Sequence, residues 1–159
     1  MRLLSILAFM IVLGFGIIKG IQFDKNCGGY LERAVNANTI EMAVAELDVA
    51  LNYMEAHNLT HGYTSFVYET PDEDIGFWYK NIKTARAELA LIKPDASPLE
   101  KSNVLMKLRE SLTANGESGD RLVVPAGISL HPNNTMYALF LLIFGMAAGL
   151  SVALTMVRV

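Results

Sequence analysis

The fold of this chain is decided by its last apolar run, TMYALFLLIFGMAAGLSVALTMV at residues 135–157. No charged side chain occurs from Met136 to Val157. A helix of about 22 residues is ~33 Å long, and the hydrocarbon core of a bilayer is ~30 Å thick. We therefore predict a membrane-spanning helix over residues 135–159.

A second apolar run opens the chain. Leu3 to Ile18 carries no charge, and the run extends to Phe23 if the Lys19 amine reaches toward the lipid headgroups. A cleaved signal peptide has a similar length, but no A-x-A-like cleavage site follows this run. We therefore predict an uncleaved transmembrane helix over residues 1–23.

The stretch between the two runs, residues 24–134, has the length of one small domain. From Asp24 to Arg121 it contains 16 acidic and 10 basic side chains, which gives a net charge of −6. Nucleic-acid binding needs a basic face, so we predict no nucleic-acid partner. Cys27 is the only cysteine, and it therefore makes no intrachain disulfide.

The first predicted helix of this domain covers about residues 30–57. Apolar side chains recur at spacings of three and four from Ile40 to Met54, which is typical of an amphipathic helix. Either Asn38 or Thr39 is suited to cap it. We expect a break between this helix and the first apolar run, at Asp24–Gly29, because Gly28 and Gly29 are adjacent.

Two further helices are predicted from capping boxes. Thr70-Pro-Asp-Glu73 and Ser97-Pro-Leu-Glu100 each place a hydroxyl residue at the N-cap, proline at the first helical position and glutamate at the third. They predict helices over about 71–93 and 98–114. We interpret the residues from Leu59 to Glu69, and again residues 115–134, as ordered loops.

The predicted fold class is thus an all-α membrane protein, in which two transmembrane helices flank a small extracytoplasmic three-helix domain with ordered loops. Two spans place both termini on the same side of the membrane. Long loops are translocated with little regard for charge. We expect a bacterial inner membrane, with both termini in the cytoplasm and the central domain in the periplasm.

No motif in the sequence predicts catalysis. His57 and His61 are four residues apart and could share a helix face for zinc, but the sequence around Gly62 predicts that the helix has ended. The acidic residues from Glu69 to Asp74 lack the spacing of a calcium loop. We expect no enzyme activity, no metal and no cofactor, and we rank a membrane-anchored hydrolase or metal protein below the other hypotheses.

Small residues in the two spans predict a helix-packing interface. In the second span Gly145, Gly149 and Ala153 recur every four residues, and in the first Gly16 and Gly20 have the same spacing. This pattern allows two helix backbones to approach closely in lipid. The partner helix could be the other span, a second copy or another protein.

Aromatic residues predict a second contact surface. Phe77, Trp78 and Tyr79 are consecutive on a predicted helix, where side chains are ~100° apart and cannot all face one core. We expect one or two of them to point toward another surface: the loop that carries Phe66 and Tyr68, the bilayer interface, a partner, or a pocket.

We predict a non-enzymatic accessory or structural subunit of a membrane protein assembly, which docks through its transmembrane helices. The expected partners are the lipid bilayer and other membrane-protein subunits, or a second copy of the chain. The alternative is a membrane-anchored sensor or ligand-binding module, with a cavity near Trp78 and the loop from Tyr63 to Tyr68.

Overall fold

A computed structural model describes residues 2–116 and 119–156 and shows a mostly helical chain. Its helices are α1 (Arg2–Phe23), α2 (Gly29–Val35), α3 (Ile40–Ala56), α4 (Ile75–Ala90), α5 (Pro98–Leu112) and α6 (Asn134–Met156). The strands β1 (Thr113–Gly116) and β2 (Gly119–Leu122) pair antiparallel. Helices α1 and α6 are both long and apolar enough to cross a membrane.

The break that we predicted at Asp24–Gly29 is absent, because α1 continues into α2 through a π-helical turn, Asp24–Gly28. The amide of Gly29 donates to the carbonyl of Asp24 five residues earlier, and both Gly28 and Gly29 keep right-handed helical angles. The extra residue in this turn shifts the side chains that follow it around the helix. Cys27 consequently lies fully buried in the domain core.

The predicted helix over residues 30–57 is two helices. α2 ends at Val35, and α3 begins at Ile40 after a short connection. The Thr39 backbone is extended, and its hydroxyl accepts a hydrogen bond from the amide of Met42 at 3.2 Å. Thr39 is therefore the N-cap, and the chain turns before it because an N-cap residue has non-helical angles.

The predicted helix over residues 71–93 begins four residues later and ends three residues earlier. Pro71–Glu73 forms only one 3₁₀ turn, in which the Thr70 hydroxyl donates to the Glu73 carboxylate at 2.6 Å. Asp74 is the N-cap of α4, and its Oδ1 accepts from the amide of Phe77 at 3.0 Å.

Backbone pairing explains this later start. Asp74 forms an isolated antiparallel bridge with Tyr63, the amide of Thr64 donates to the Glu73 carbonyl at 3.1 Å, and the amide of Ile75 donates to the Gly62 carbonyl at 2.9 Å. The extended conformation that this pairing needs cannot continue a helix. The segment before α4 is thus hydrogen-bonded to the loop that follows α3.

The second predicted N-cap, Ser97, agrees with the structure. Ser97 Oγ accepts from the amide of Glu100 at 3.2 Å, and Pro98 occupies the first turn of α5. α5 ends at Leu112, because β1 begins at Thr113 within the span that we predicted as helix and loop. A 3₁₀ turn, Ile128–Leu130, then leads to α6.

The hydrophobic core of the domain is centred on α3. Its buried face packs against α2 on one side and α4 on the other. The fully buried side chains with the largest volumes come from four different segments and are Cys27, Leu31, Leu47, Met54, Ile75, Ile82 and Leu89.

Candidate membrane-facing surface and groove

Helices α1 and α6 pack against each other in antiparallel orientation. Ser5 near the start of α1 lies 3.1 Å from Ser151 near the end of α6, measured between the hydroxyl oxygens. Toward the other end of the pair, the Tyr137 ring lies 6.5 Å from the Phe15 ring. The two apolar helices therefore form a hairpin, with the helical domain inserted between them in the sequence.

Two of the predicted interface glycines lie in this contact. A Cβ atom at Gly145 would lie 3.3 Å from the Phe9 ring, and one at Gly16 would collide with the Tyr137 ring. Each glycine thus faces an aromatic side chain of the other helix. In this helix pair, the backbone of one helix thus approaches an aromatic ring of the other.

The other predicted interface residues do not take part in the described α1–α6 contact. A Cβ atom at Gly149 or Gly20 would have no heavy atom within 4 Å among the described residues, and Ala153 is exposed. Gly149 and Ala153 face outward from the helix pair, whereas Gly20 is half-buried and lines a cavity with residues of the segment 121–129. Their contact with a second copy or with another protein stays a prediction.

The outer surfaces of the helix pair are strongly apolar and exposed. Leu3 and Ile11 on α1, and Met146 and Leu150 on α6, are all exposed. These side chains are not covered by the partner helix, and they occur at both ends of the pair. Soluble monomers rarely expose one continuous apolar surface of this extent.

The three consecutive aromatic residues face different surroundings, as their helical spacing requires. Trp78 is buried, and its indole N–H donates to the Val123 carbonyl at 2.8 Å. Tyr79 is half-buried and donates its hydroxyl to Glu55, whereas Phe77 is 61% exposed. Phe77 is therefore the member of this group that is left for a contact outside the domain.

The loop after α3 carries a second exposed apolar cluster. Phe66, Val67 and Tyr68 are all exposed. They follow Thr64, which is buried at 4% exposure and is held by its backbone pairing with Glu73. The loop is thus anchored at Thr64 and presents the three apolar side chains beyond that anchor. Sequence reasoning found Phe66 and Tyr68 but did not find Val67.

A groove of about 1050 Å³ lies between this loop and α6. One wall consists of Phe66, Val67 and Tyr68 with the neighbouring residues of the loop. The opposite wall follows one face of α6 and includes Phe9 of α1; its α6 residues are Asn134, Tyr137, Ala138, Leu141, Leu142, Gly145 and Met146. Trp78 does not line the groove, so the cavity lies closer to the apolar helices than the sequence predicted.

The groove changes character along its length. Near the domain it is lined by Thr64, Ser65, Asp72, Glu73 and Asn134, all of which have polar side chains. Three buried oxygen atoms in this region, Thr64 Oγ1, Ser65 Oγ and Asn134 Oδ1, have no hydrogen-bond partner among the described residues. Buried polar atoms are nearly always paired in native proteins, so an ordered water or another bound molecule would satisfy these three atoms.

Sequence reasoning missed this polar cluster. Thr64 and Ser65 lie in a stretch that looks like an ordinary loop, and Asn134 is 69 or more positions away in the sequence. Only the packing of the loop against the start of α6 brings them to one groove. No signal in the sequence links these residues.

The histidines do not form a metal site in the described part of the chain. His57 follows the end of α3 and stacks on the Tyr53 ring at 4.0 Å, whereas His61 lies next to the Thr60 hydroxyl at 3.0 Å. His131 is partly buried, and this burial lowers its pKa. Residues 2–116 and 119–156 contain no group of three or more metal-ligating side chains placed to hold an ion.

No protein-family model matches this chain, and no curated protein and no solved structure matches it either.

Proposed function

We propose that this protein is an integral membrane protein whose α1–α6 hairpin crosses the bilayer and holds the helical domain at the membrane surface. The supporting observation is the apolar surface that faces away from the hairpin on both helices. In water this surface would be costly, since each Å² of exposed apolar area costs about 25 cal/mol. A bilayer removes that cost, and both helices are long enough to cross it.

In this proposal both termini lie in the cytoplasm and the domain lies outside it, in the periplasm of a bacterial inner membrane. The antiparallel pairing of α1 and α6 supports placing both termini on one side. The acidic domain is then kept apart from anionic lipid headgroups on the cytoplasmic leaflet.

We further propose that the protein is a non-enzymatic accessory or structural subunit of a membrane assembly. Support comes from surfaces that are left exposed in the described part of the chain: the open position at Gly149, and the side chains of Phe77 and of the loop at Phe66–Tyr68. Small residues on a membrane helix favour contact with another helix. Exposed aromatic residues are typical of protein interfaces.

The alternative, a membrane-anchored ligand-binding module, is favoured by one observation, the groove between the loop and α6. Its apolar wall and unpartnered polar atoms are the usual features of a small-molecule site. The two functions share the loop at Phe66–Tyr68, which is exposed to a partner and also lines the groove, whereas Phe77 and Gly149 do not line it.

Extraction and labelling test the membrane placement. Membranes that contain the full chain would be washed at alkaline pH, and Leu91→Cys, at a position 80% exposed in the domain, would be labelled from the outside with a membrane-impermeant maleimide. We expect the protein to stay in the membrane, Leu91→Cys to react, and Val159→Cys to react only after the membrane is opened. Release of the protein by alkali, or the reverse labelling pattern, would contradict the proposal.

Photocrosslinking tests the accessory role. A photoreactive phenylalanine would replace Phe66 in one variant and Leu99, which is 71% exposed on α5, in the control. We expect one discrete crosslinked product from position 66, in which mass spectrometry identifies the same membrane protein in repeated preparations, and no such product from position 99. Only uncrosslinked chain from both positions, together with a monodisperse monomer in mild detergent, would overturn the accessory role.

A further inference from the structure

We infer that the groove between the loop and α6 binds one phospholipid with an amine headgroup, such as phosphatidylethanolamine. This inference rests on the membrane placement proposed above. It names a ligand and a site, whereas that placement concerns only where the two helices lie. Three properties of the groove support it: its length, the position of its unpartnered polar atoms, and its charge.

The length of the groove matches one leaflet of a bilayer. Its α6 wall extends from Asn134 to Met146, which is ~18 Å at 1.5 Å per residue. Half of a hydrocarbon core is ~15 Å thick. A groove that begins at the domain and follows α6 for this distance is as long as a lipid acyl chain that lies in the outer leaflet.

The lining changes from polar to apolar in the direction that a lipid requires. The far end of the groove contains Leu141, Leu142 and Met146 with Phe9, all suited to contact an acyl chain. The end near the domain contains the unpartnered oxygen atoms of Thr64, Ser65 and Asn134. These oxygen atoms are buried just beneath the groove surface. Rotation of the Thr64 or Ser65 side chain would turn its hydroxyl group toward the ester carbonyls or the phosphate of a lipid, and a rotated Asn134 Oδ1 can accept from its amine.

Thr64 is the most informative of these residues. It is 96% buried, yet its Oγ1 has no hydrogen-bond partner among the described residues. Its backbone is fixed by the hydrogen bond from its amide to the Glu73 carbonyl, so the side chain is held at the wall of the groove. A ligand that hydrogen-bonds to this hydroxyl would satisfy a buried polar group that otherwise has no partner.

The charge of the groove selects the headgroup. Asp72 and Glu73 line its polar end, and no lysine, arginine or histidine occurs among the described residues that line it. Two carboxylates attract an ammonium group and repel a lipid of net negative charge. A zwitterionic lipid with a primary amine therefore fits better than an anionic one such as phosphatidylglycerol.

A transmembrane helix of another protein fits this groove less well. Such a helix would be apolar over the depth of the membrane and ~10–12 Å across. It would leave the oxygen atoms of Thr64, Ser65 and Asn134 without partners, because it brings no headgroup to the polar end. A helix in the groove is nevertheless one of the outcomes that the experiment distinguishes.

Native mass spectrometry of the full chain tests the inference. The protein would be reconstituted in nanodiscs with equal amounts of phosphatidylethanolamine and phosphatidylglycerol and then released into the gas phase. We expect one phosphatidylethanolamine to stay bound. No bound lipid, equal retention of the two lipids, or a second polypeptide in place of the lipid would overturn the inference.

A pair of tryptophan variants on α6 distinguishes the groove from ordinary lipid contact. Leu142→Trp fills the groove, whereas Ile143→Trp alters the next residue, which is 48% exposed and does not line it. We expect about a tenfold lower lipid-bound fraction for Leu142→Trp and no change for Ile143→Trp, because only the first blocks the acyl chain. Equal retention by both variants would identify the lipid as unspecific and would overturn the site.

A pair of charge variants tests headgroup recognition. Asp72→Asn removes one carboxylate from the groove, and Glu69→Gln removes one from the same loop outside the groove. We expect Asp72→Asn to lose the preference for phosphatidylethanolamine about tenfold, since hydrogen bonds to charged groups are the stronger ones. A similar effect of Glu69→Gln would contradict recognition at the groove.

Alkaline extraction of membranes that contain the full chain, before reconstitution, separates the two proposals. Protein that resists extraction but carries no lipid overturns only the lipid site. Protein that alkali releases overturns the membrane placement itself.

Discussion

Tyr137 of α6 lies directly over Gly16 of α1. A Cβ atom at Gly16 would lie 2.8 Å from Cζ of the Tyr137 ring, which is closer than real Cβ contacts come. Gly16 therefore provides the space that the tyrosine ring occupies. This relationship accounts for a glycine at that level of the α1–α6 hairpin, whereas a Cβ atom at Gly20, one turn further, would have no atom of another described segment within 4 Å.

Replacement of Gly16 should weaken the helix hairpin. In Gly16→Leu the new side chain displaces the Tyr137 ring, and overpacking of this kind costs about 1–3 kcal/mol. We expect a lower midpoint of thermal unfolding, measured by circular dichroism of the detergent-solubilised chain. Gly20→Leu is the matched control and should leave the midpoint nearly unchanged. Equal effects of the two substitutions would contradict the described packing.

Cysteines at positions 5 and 151 should crosslink. The two serine hydroxyls lie 3.1 Å apart, so Ser5→Cys combined with Ser151→Cys brings two thiols close enough for a disulfide. We expect a mobility shift in non-reducing electrophoresis after mild oxidation. Ser5→Cys combined with Leu150→Cys, at a position 64% exposed, should not form an intrachain bond. Crosslinking of the control pair alone would show that α6 is rotated relative to α1.

Trp78 should stabilise the domain through its hydrogen bond. Trp78→Phe removes the indole N–H and leaves the Val123 carbonyl without this donor, which costs about 1 kcal/mol. Trp78→Ala also removes the ring from a buried site and should cost about 3–5 kcal/mol. Unfolding in guanidinium chloride, followed by circular dichroism, measures both values. Phe77→Leu, at an exposed position, should change stability by less than about 0.5 kcal/mol.

Cys27 should be inert in the native protein. It is fully buried, and this burial raises the pKa of its thiol to about 12 from 9.0. We expect no reaction with iodoacetamide at pH 8 and complete reaction after denaturation. Rapid native labelling, or a disulfide-linked dimer under oxidising conditions, would contradict the buried position.

The raised pKa of Cys27 also predicts how stability depends on pH. Above pH 9.0 the unfolded chain loses the thiol proton while the folded chain retains it, so the unfolded state binds fewer protons. The free energy of unfolding should therefore fall between about pH 9 and 12. Cys27→Ala should show a smaller decline over this range, although its stability at pH 7 will be lower because a buried contact is lost.

Local patterns in the sequence were sufficient for several elements. The cap at Ser97 and the apolar spacing of α3 depend on neighbours a few residues apart, and the structure shows a helix at each. The start of α4 was predicted wrongly, because Thr70 and Asp74 are both good caps and pairing with Tyr63 selects the later one. Local sequence cannot report that pairing.

The sequence by itself determined that this chain has two long apolar helices at residues 2–23 and 134–156 and a mostly helical region between them, because hydropathy and helical spacing are properties of contiguous residues. Tertiary structure decided three further features: the continuous path from α1 into α2, the glycines that face Phe9 and Tyr137, and the groove beside α6. Each of these depends on contacts between residues that are distant in the sequence, or on one extra residue in a turn. The direction in which a side chain points is fixed only when the elements pack.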